Sequence, residues 1–193
     1  RAARHALDLN ARTPVVGIFS RIAEWKGQDV MIRALPSLPN VHLLLVGEAT
    51  FETDEEYEQT LRALCERLGV ADRVHFLGFR RDVPRLMKAV DAVVHTSTAP
   101  EPFGRVIVEA MLARTPVVAT RAGGPEEIID DDETGLLVPS GDPSALSRAV
   151  GNLLHSADTT GLVRQARSEA RSRFSLDTML KAADKQISQT LNT

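Results

Sequence analysis

The sequence predicts an α/β fold: a mostly parallel sheet of about six strands with helices on both faces, plus a C-terminal helix. Three observations point there. Short apolar, β-branched runs alternate with amphipathic stretches almost from end to end. Most of those apolar runs lack polar alternation, as strands buried on both faces do. The 193 residues are 43% hydrophobic and 25% charged, the balance of an ordinary globule large enough for one sizeable domain.

The strands read as PVVGIFS (14–20), VHLLLVG (41–47), RVHFLG (73–78), DAVVHTS (91–97), TPVVAT (115–120) and TGLLVP (134–139). Helical patterns fall between and after them at about 27–37, 54–68, 82–89, 104–114, 125–130 and 142–155. Asp142 followed by Pro143 is a helix start, with the acid capping and the proline in the first turn. Gly69 marks a helix end, and Gly151 with Asn152 marks a stop or bend near the end of another. The last segment, SLDTMLKAADKQISQTL, puts Leu176, Leu180, Ala183, Ile187 and Leu191 on one stripe, with Met179 beside it and Ser175 as cap. That apolar face must cover something. No repeat or Pro/Gly-rich linker divides the chain, so one domain is expected over 13–173, with 174–193 as the added helix. RAARHALDLN opens without methionine, and 1–12 reads as the tail of something preceding.

Composition removes several classes. With 23 basic and 26 acidic residues the net charge is -3, and no basic run suggests a nucleic-acid surface. The single cysteine, Cys65, has no partner for an internal disulfide and reads as a small helix-face residue. No Cys/His cluster has metal-ligand spacing, so no metal site is expected. The apolar runs are strand-sized, too short to span a bilayer, and no leader opens the chain. The expected location is the cytoplasm.

In an open parallel sheet, ligands sit at the carboxyl ends of the strands. Three strand-to-helix loops carry suitable chemistry. In SRIAEWKGQD, Arg21 and Lys26 lie on a short loop running into a helix; two cations there suit a diphosphate, although a solvated loop has the same look. No GxxxxGK[ST] and no GxGxxG occurs, so neither a P-loop nucleotidase nor a dinucleotide enzyme is indicated. In EPFGRVIVEA, Pro102 and Gly104 break the chain before a helix. Glu101 then lies outside that helix and Glu109 within it, flanking the free N–H groups of Phe103 to Val106. A helix start carries about half a positive charge, so this is an anion site with a carboxylate on either side. The pairs Glu48/Glu56 and Glu58/Glu66 share the spacing but sit in charged, solvated surroundings. In TRAGGPEEI, Gly123 and Gly124 allow close backbone approach to a ligand. Glu126 and Glu127 there favour the helix dipole, and Glu127 is the one expected to reach the site. His95, ending a strand near the crevice, is expected to pack or to hydrogen-bond backbone. Asp130 to Asp132 reads as a solvated turn.

SRIAEWKG, RVHFLGFRRDVPRLMKAVDAVVHTS, EPFGRVIVEAMLARTPVVATRAGGPEEII and ETGLLVPSGDPSALSRAV, in that order, resemble the retaining GT-B glycosyltransferases of the group 1, family 4 type, and specifically their C-terminal, donor-binding domain. The resemblance implies a Rossmann-like domain and an enzyme moving a sugar from an NDP-sugar to an acceptor, with retention and without metal. It implies no cofactor beyond the nucleotide-sugar donor. Arg21 and Lys26 would hold the diphosphate and Glu101 would lie near the transferred sugar, making these the catalytic candidates. Phe103, Gly104 and Arg105 match the turn that contacts sugar and phosphate, and Glu109 matches the ribose-binding glutamate. Gly78, Phe79 and Arg80 fall where the base is held, largely by backbone atoms. Two departures stand out: Arg114 and Ser20 occupy positions where the family usually has glycine. The acceptor-binding N-terminal domain of the family is also missing, so this piece alone should transfer nothing. Any membrane-peripheral association would run through that missing domain. Two other readings remain: a stand-alone nucleotide-sugar module working with a partner chain, and a sugar-nucleotide epimerase-like or phosphorylase-like enzyme.

Overall fold

A computed structural model describes residue 10, residues 12–156 and residues 158–191. Most of the expected leading segment, 1–9 and 11, lies outside the described residues. Six strands form one parallel sheet in the order β3-β2-β1-β4-β5-β6. They are β1 (Val15–Phe19), β2 (His42–Val46), β3 (Val74–Phe76), β4 (Ala92–His95), β5 (Val117–Arg121) and β6 (Leu136–Pro139). The register runs Val15 opposite His42 through Phe19 opposite Val46, while β1 meets β4 at Val16–Ala92 and Gly17–Val93. Strand building leaves β1 first to one side and then, from β4, to the other. That reversal opens a crevice at the carboxyl ends of β1 and β4.

The helices are α1 (Gln28–Ala34), α2 (Glu52–Arg67), α3 (Val83–Met87), α4 (Arg105–Ala113), α5 (Gly124–Ile128), α6 (Pro143–His155), α7 (Thr160–Arg173) and α8 (Leu176–Leu191). Alternate strand residues feed two cores. Val16, Ile18, Leu43, Leu45 and Val118 pack with α1, α2 and α6 on one face. Val15, Phe19, Leu44, Val93 and Val117 pack with α3, α4, α5 and α7 on the other. Continuous apolar runs are therefore what a sheet covered on both sides requires.

Asp142 caps α6 as its sequence indicates, Oδ1 accepting from Ser144 and Ala145 N–H at 2.9 Å each. Gly151 does not stop that helix, which continues to His155. The sequence reading also left out α7. Its buried stripe is made of alanines, Ala166 and Ala170, too small to stand out among its charges. Ser175 Oγ accepts from Thr178 N–H at 3.2 Å at the start of α8. The apolar stripe of α8 is open: Leu176 is 65%, Met179 58%, Leu180 54% and Ile187 59% exposed. Among the described residues no helix is long and apolar enough to cross a membrane.

Arg114 closes α4 at φ 64°, the left-handed conformation that glycine adopts freely. Arg114→Gly is expected to raise unfolding stability by about 1 kcal/mol. Gly27, at φ 63°, is the opposite case, because a Cβ there would lie 2.2 Å from Thr96 O. Gly27→Ala should cost more than about 2 kcal/mol. Urea denaturation of both variants measures these effects.

Candidate functional site

The loop after β1 is fastened on both sides before it presents any side chain. Ser20 N–H donates to Val46 O and Ile22 N–H to Glu48 O, both at 3.0 Å, so the chain stays beside the end of β2. Gln28, fully buried, donates from Nε2 to Arg21 O at 2.9 Å and to Ser20 Oγ at 3.1 Å. The serine in the glycine-favoured position thus accepts a bond that glycine would forfeit. A single 3₁₀ turn, Glu24–Lys26, then ends at Gly27. Thr96 Oγ1 donates to Lys26 O at 2.7 Å and Thr98 N–H to Trp25 O at 2.8 Å, tying this turn to the end of β4.

The loop after β4 is fastened to β5 in the same way. Glu101 N–H donates to Ala122 O at 2.7 Å, and Gly124 N–H to Glu101 O at 2.8 Å. A Cβ on Gly124 would lie 2.3 Å from Phe103 O, and one on Gly123 would lie 2.8 Å from Glu101 O. The expected close approach at the glycine pair is made by the protein's own backbone. It fixes Glu101 in the crevice.

Between the two loops, Lys26 Nζ stands 2.5 Å from Glu101 Oε2, with side-chain exposures of 15% and 12%. The same oxygen accepts from Ser97 Oγ at 3.0 Å and meets His95 Nε2 at 3.3 Å. The hydrogen bond from His95 is the largest influence drawing the Glu101 carboxyl down to about 2. Lys26, by contact and by charge, and the Ser97 hydroxyl add to it, while burial opposes. Glu101 is therefore an ionised acceptor, unsuited to donating a proton near neutrality. His95 was expected to pack or to hydrogen-bond backbone; it is 4% exposed, and its ring nitrogen instead meets the Glu101 carboxylate. Among the described residues its Nδ1 is buried without a partner. Ser97 and Gln28 were not assigned a role from sequence; for Ser97 a polar run, HTS, ending a buried strand was the available signal.

Lys26 also lies over the Trp25 ring, 4.0 Å from its centroid. Arg21 reaches the same ring at 5.9 Å but turns outward, its Nη1 3.4 Å from Asp54 Oδ2 on α2 and its guanidinium 5.6 Å from the Phe51 centroid. The structure thus joins Lys26 and Glu101 directly, while Arg21 pairs with Asp54 instead.

Gly104, at φ 94°, precedes α4, and its Cβ position lies 3.8 Å from Glu101 Cγ. Among the described residues, none of the N–H groups of Phe103, Gly104, Arg105 and Val106 meets a recorded acceptor. The start of this nine-residue helix therefore adjoins the Lys26–Glu101 pair. The Phe103 ring instead packs edge-on against Phe174, with centroids 5.6 Å apart. Arg105 and Glu109 are exposed, Glu109 one turn into α4. Gly78 O accepts from Gly47 N–H at 2.9 Å, bringing the loop after β3 to the same rim. Phe79 is solvent-facing there, and Arg80 is engaged by Asp82 at 2.8 and 3.0 Å. Glu127 is exposed and makes no ion pair among the described residues. In the acidic turn, Asp130 and Asp132 face solvent, but Asp131 pairs with Arg121 and accepts from Leu137 N–H at 2.8 Å, fastening β6. Cys65 is buried on α2, and burial pushes its thiol up to about 11, which leaves it inert.

Residues 1–173 match the family described as glycosyl transferases group 1. The chain belongs to that family. HepE of Anabaena, solved in complex with UDP-glucose, is 42% identical, with a TM-score of 0.90 over 99% of this chain and 51% of its own. The lipopolysaccharide core biosynthesis glycosyltransferase LpsE of Rhizobium meliloti is 39% identical over 151 residues, which are 78% of this chain and 42% of LpsE. A D-inositol 3-phosphate glycosyltransferase of a Mycobacterium species is 36% identical over 176 residues, 90% of this chain and 39% of that protein. The chain thus spans about half or less of the length of these relatives.

The Glu101 carboxyl supplies a test of the site's electrostatics. A depressed folded-state value means its stabilisation is complete above about 4.5 and is lost as pH falls towards 2. Glu101→Gln should therefore be less stable than the parent at neutral pH. That gap should narrow as urea midpoints are followed from pH 6 down to pH 3.

Proposed function

We propose that this chain is the donor-binding half of a two-domain glycosyltransferase that moves a sugar from a nucleoside diphosphate sugar, a UDP-sugar first, to an acceptor hydroxyl. The observation that carries the reading is the Lys26–Glu101 pair beside the open N–H groups at the start of α4, in the crevice where the strand order reverses. Membership of the family and the UDP-glucose complex of HepE support it.

In the reaction, the bond from the sugar's anomeric carbon to the diphosphate breaks as the acceptor oxygen bonds to that carbon. The acceptor's proton passes to the departing diphosphate, and the anomeric configuration is retained. Positive charge grows on the sugar ring and negative charge on the leaving group. Lys26 and the amides of Phe103 to Val106 face the second, and an ionised Glu101 faces the first. Such groups stabilise the transition state more than the ground state. Arg21 would join them by leaving Asp54, a partner at the long end of hydrogen-bond range. Because the protein itself supplies cations to the diphosphate, the reaction proceeds without metal. Glu109 would hold the ribose, and the Gly78–Arg80 loop the base. The acceptor would bind an N-terminal domain beyond this chain, and the open stripe of α8 would lie against that domain.

Calorimetry on the 193-residue chain tests the reading. UDP should bind, more tightly than GDP or ADP, and equally in EDTA. Lys26→Ala should weaken UDP at least about tenfold, roughly 1.4 kcal/mol. Glu109→Ala should weaken UDP while leaving pyrophosphate, which has no ribose, unaffected. Absence of binding by all three nucleotides would overturn the proposal.

A further inference from the structure

Away from the crevice, a groove of about 700 Å³ runs between α7 and the end of α4. Its wall is basic. Arg164, Arg167 and Arg171 succeed one another at helical spacing on one side of α7, and Arg114 joins them from the left-handed end of α4. Thr160 and Ser168 add hydroxyls, and no acid lines the groove. The neighbouring acids are occupied elsewhere: Asp158 accepts from Thr160 N–H at 2.7 Å, with Arg164 a minor influence on it, and Glu169 lies 4.0 Å from Arg173.

Two features set this apart from an ordinary solvated helix face. First, none of the four arginines makes a recorded ion pair among the described residues, although like charges at these spacings oppose helix formation. Second, Arg167 Nε is shut off from solvent with no hydrogen-bond partner among the described residues. A buried guanidinium N–H without an acceptor is costly.

We propose that this groove binds a small phosphorylated molecule, at a site separate from the donor crevice. Guanidinium forks match phosphate oxygens, and a phosphomonoester or diphosphate brings the two negative charges or so that four such cations call for. The cavity lies in the size range of small-molecule sites, and its concave shape suits a single group rather than a flat lipid surface. The hydroxyls of Thr160 and Ser168 stand where they can donate to further oxygens. The site depends on no feature of the donor-binding reading.

The test uses the 193-residue chain and inorganic pyrophosphate, followed by backbone amide NMR so that the two regions are read separately. The α7 amides from Thr160 to Arg173 are expected to shift saturably. Substituting Arg164→Gln and Arg167→Gln together should raise the apparent Kd for that shift at least tenfold, without moving the titration of the amides around Gly104. Lys26→Ala should do the reverse. Circular dichroism establishes that the double variant remains folded, and Arg171→Gln alone provides a milder second variant with a smaller loss in the same direction. The proposal is overturned if the α7 amides do not saturate, or if both arginine variants titrate as the parent does. It is equally overturned if α7 responds only to vesicles of phosphatidylglycerol and not to pyrophosphate.

Discussion

One carboxylate oxygen organises this molecule's chemistry. Glu101 Oε2 gathers Lys26, His95 and Ser97 at a point where the sheet reverses its order. Three donors on one oxygen settle its charge, and that charge settles where Lys26 rests. A free ammonium in a partly dry crevice would be unfavourable by itself, so the glutamate keeps it in place and ready. Arrival of a more negative group beside Gly104 would then exchange one anion for another at little desolvation cost.

The backbone makes this arrangement rigid. Lys26 hangs from β1 and Glu101 from β4, and each loop is bonded to the strand beyond: the first to β2 through Ser20 and Ile22, the second to β5 through Glu101 and Gly124. Threonines at 96 and 98 cross between them. Glycines stand where these loops meet neighbouring backbone, and the distances of 2.2 and 2.3 Å found for added Cβ atoms show how little room remains. Stability and site geometry are thus carried by the same contacts.

What could be read before the structure follows from how each feature is encoded. The inner strands are apparent because burial on both faces demands an unbroken apolar run, a signal that local sequence carries, while the edge strands β3 and β6 are only partly buried. The Arg114 strain was readable through the resemblance, because the family usually has glycine at that position. α7 was not, since packing against α4 uses alanines that have no large moment. In the site, the residues on loops after strands were found by type and position, Lys26 and Glu101 among them. The contributions of His95 and Ser97 were hidden. Whether a buried polar side chain packs or orients depends on a carboxylate four or six residues away folding back onto it, and spacing does not encode that return. Asp54 as the partner of Arg21 is a contact across 33 residues, equally silent in sequence.

Both cations lie near the indole of Trp25, with Lys26 4.0 Å and Arg21 5.9 Å from its centroid. It is the sequence's only tryptophan. Any ligand that draws either cation off that ring alters the field across the chromophore. The molecule therefore carries its own optical gauge of crevice occupancy, undiluted by emission from any second indole.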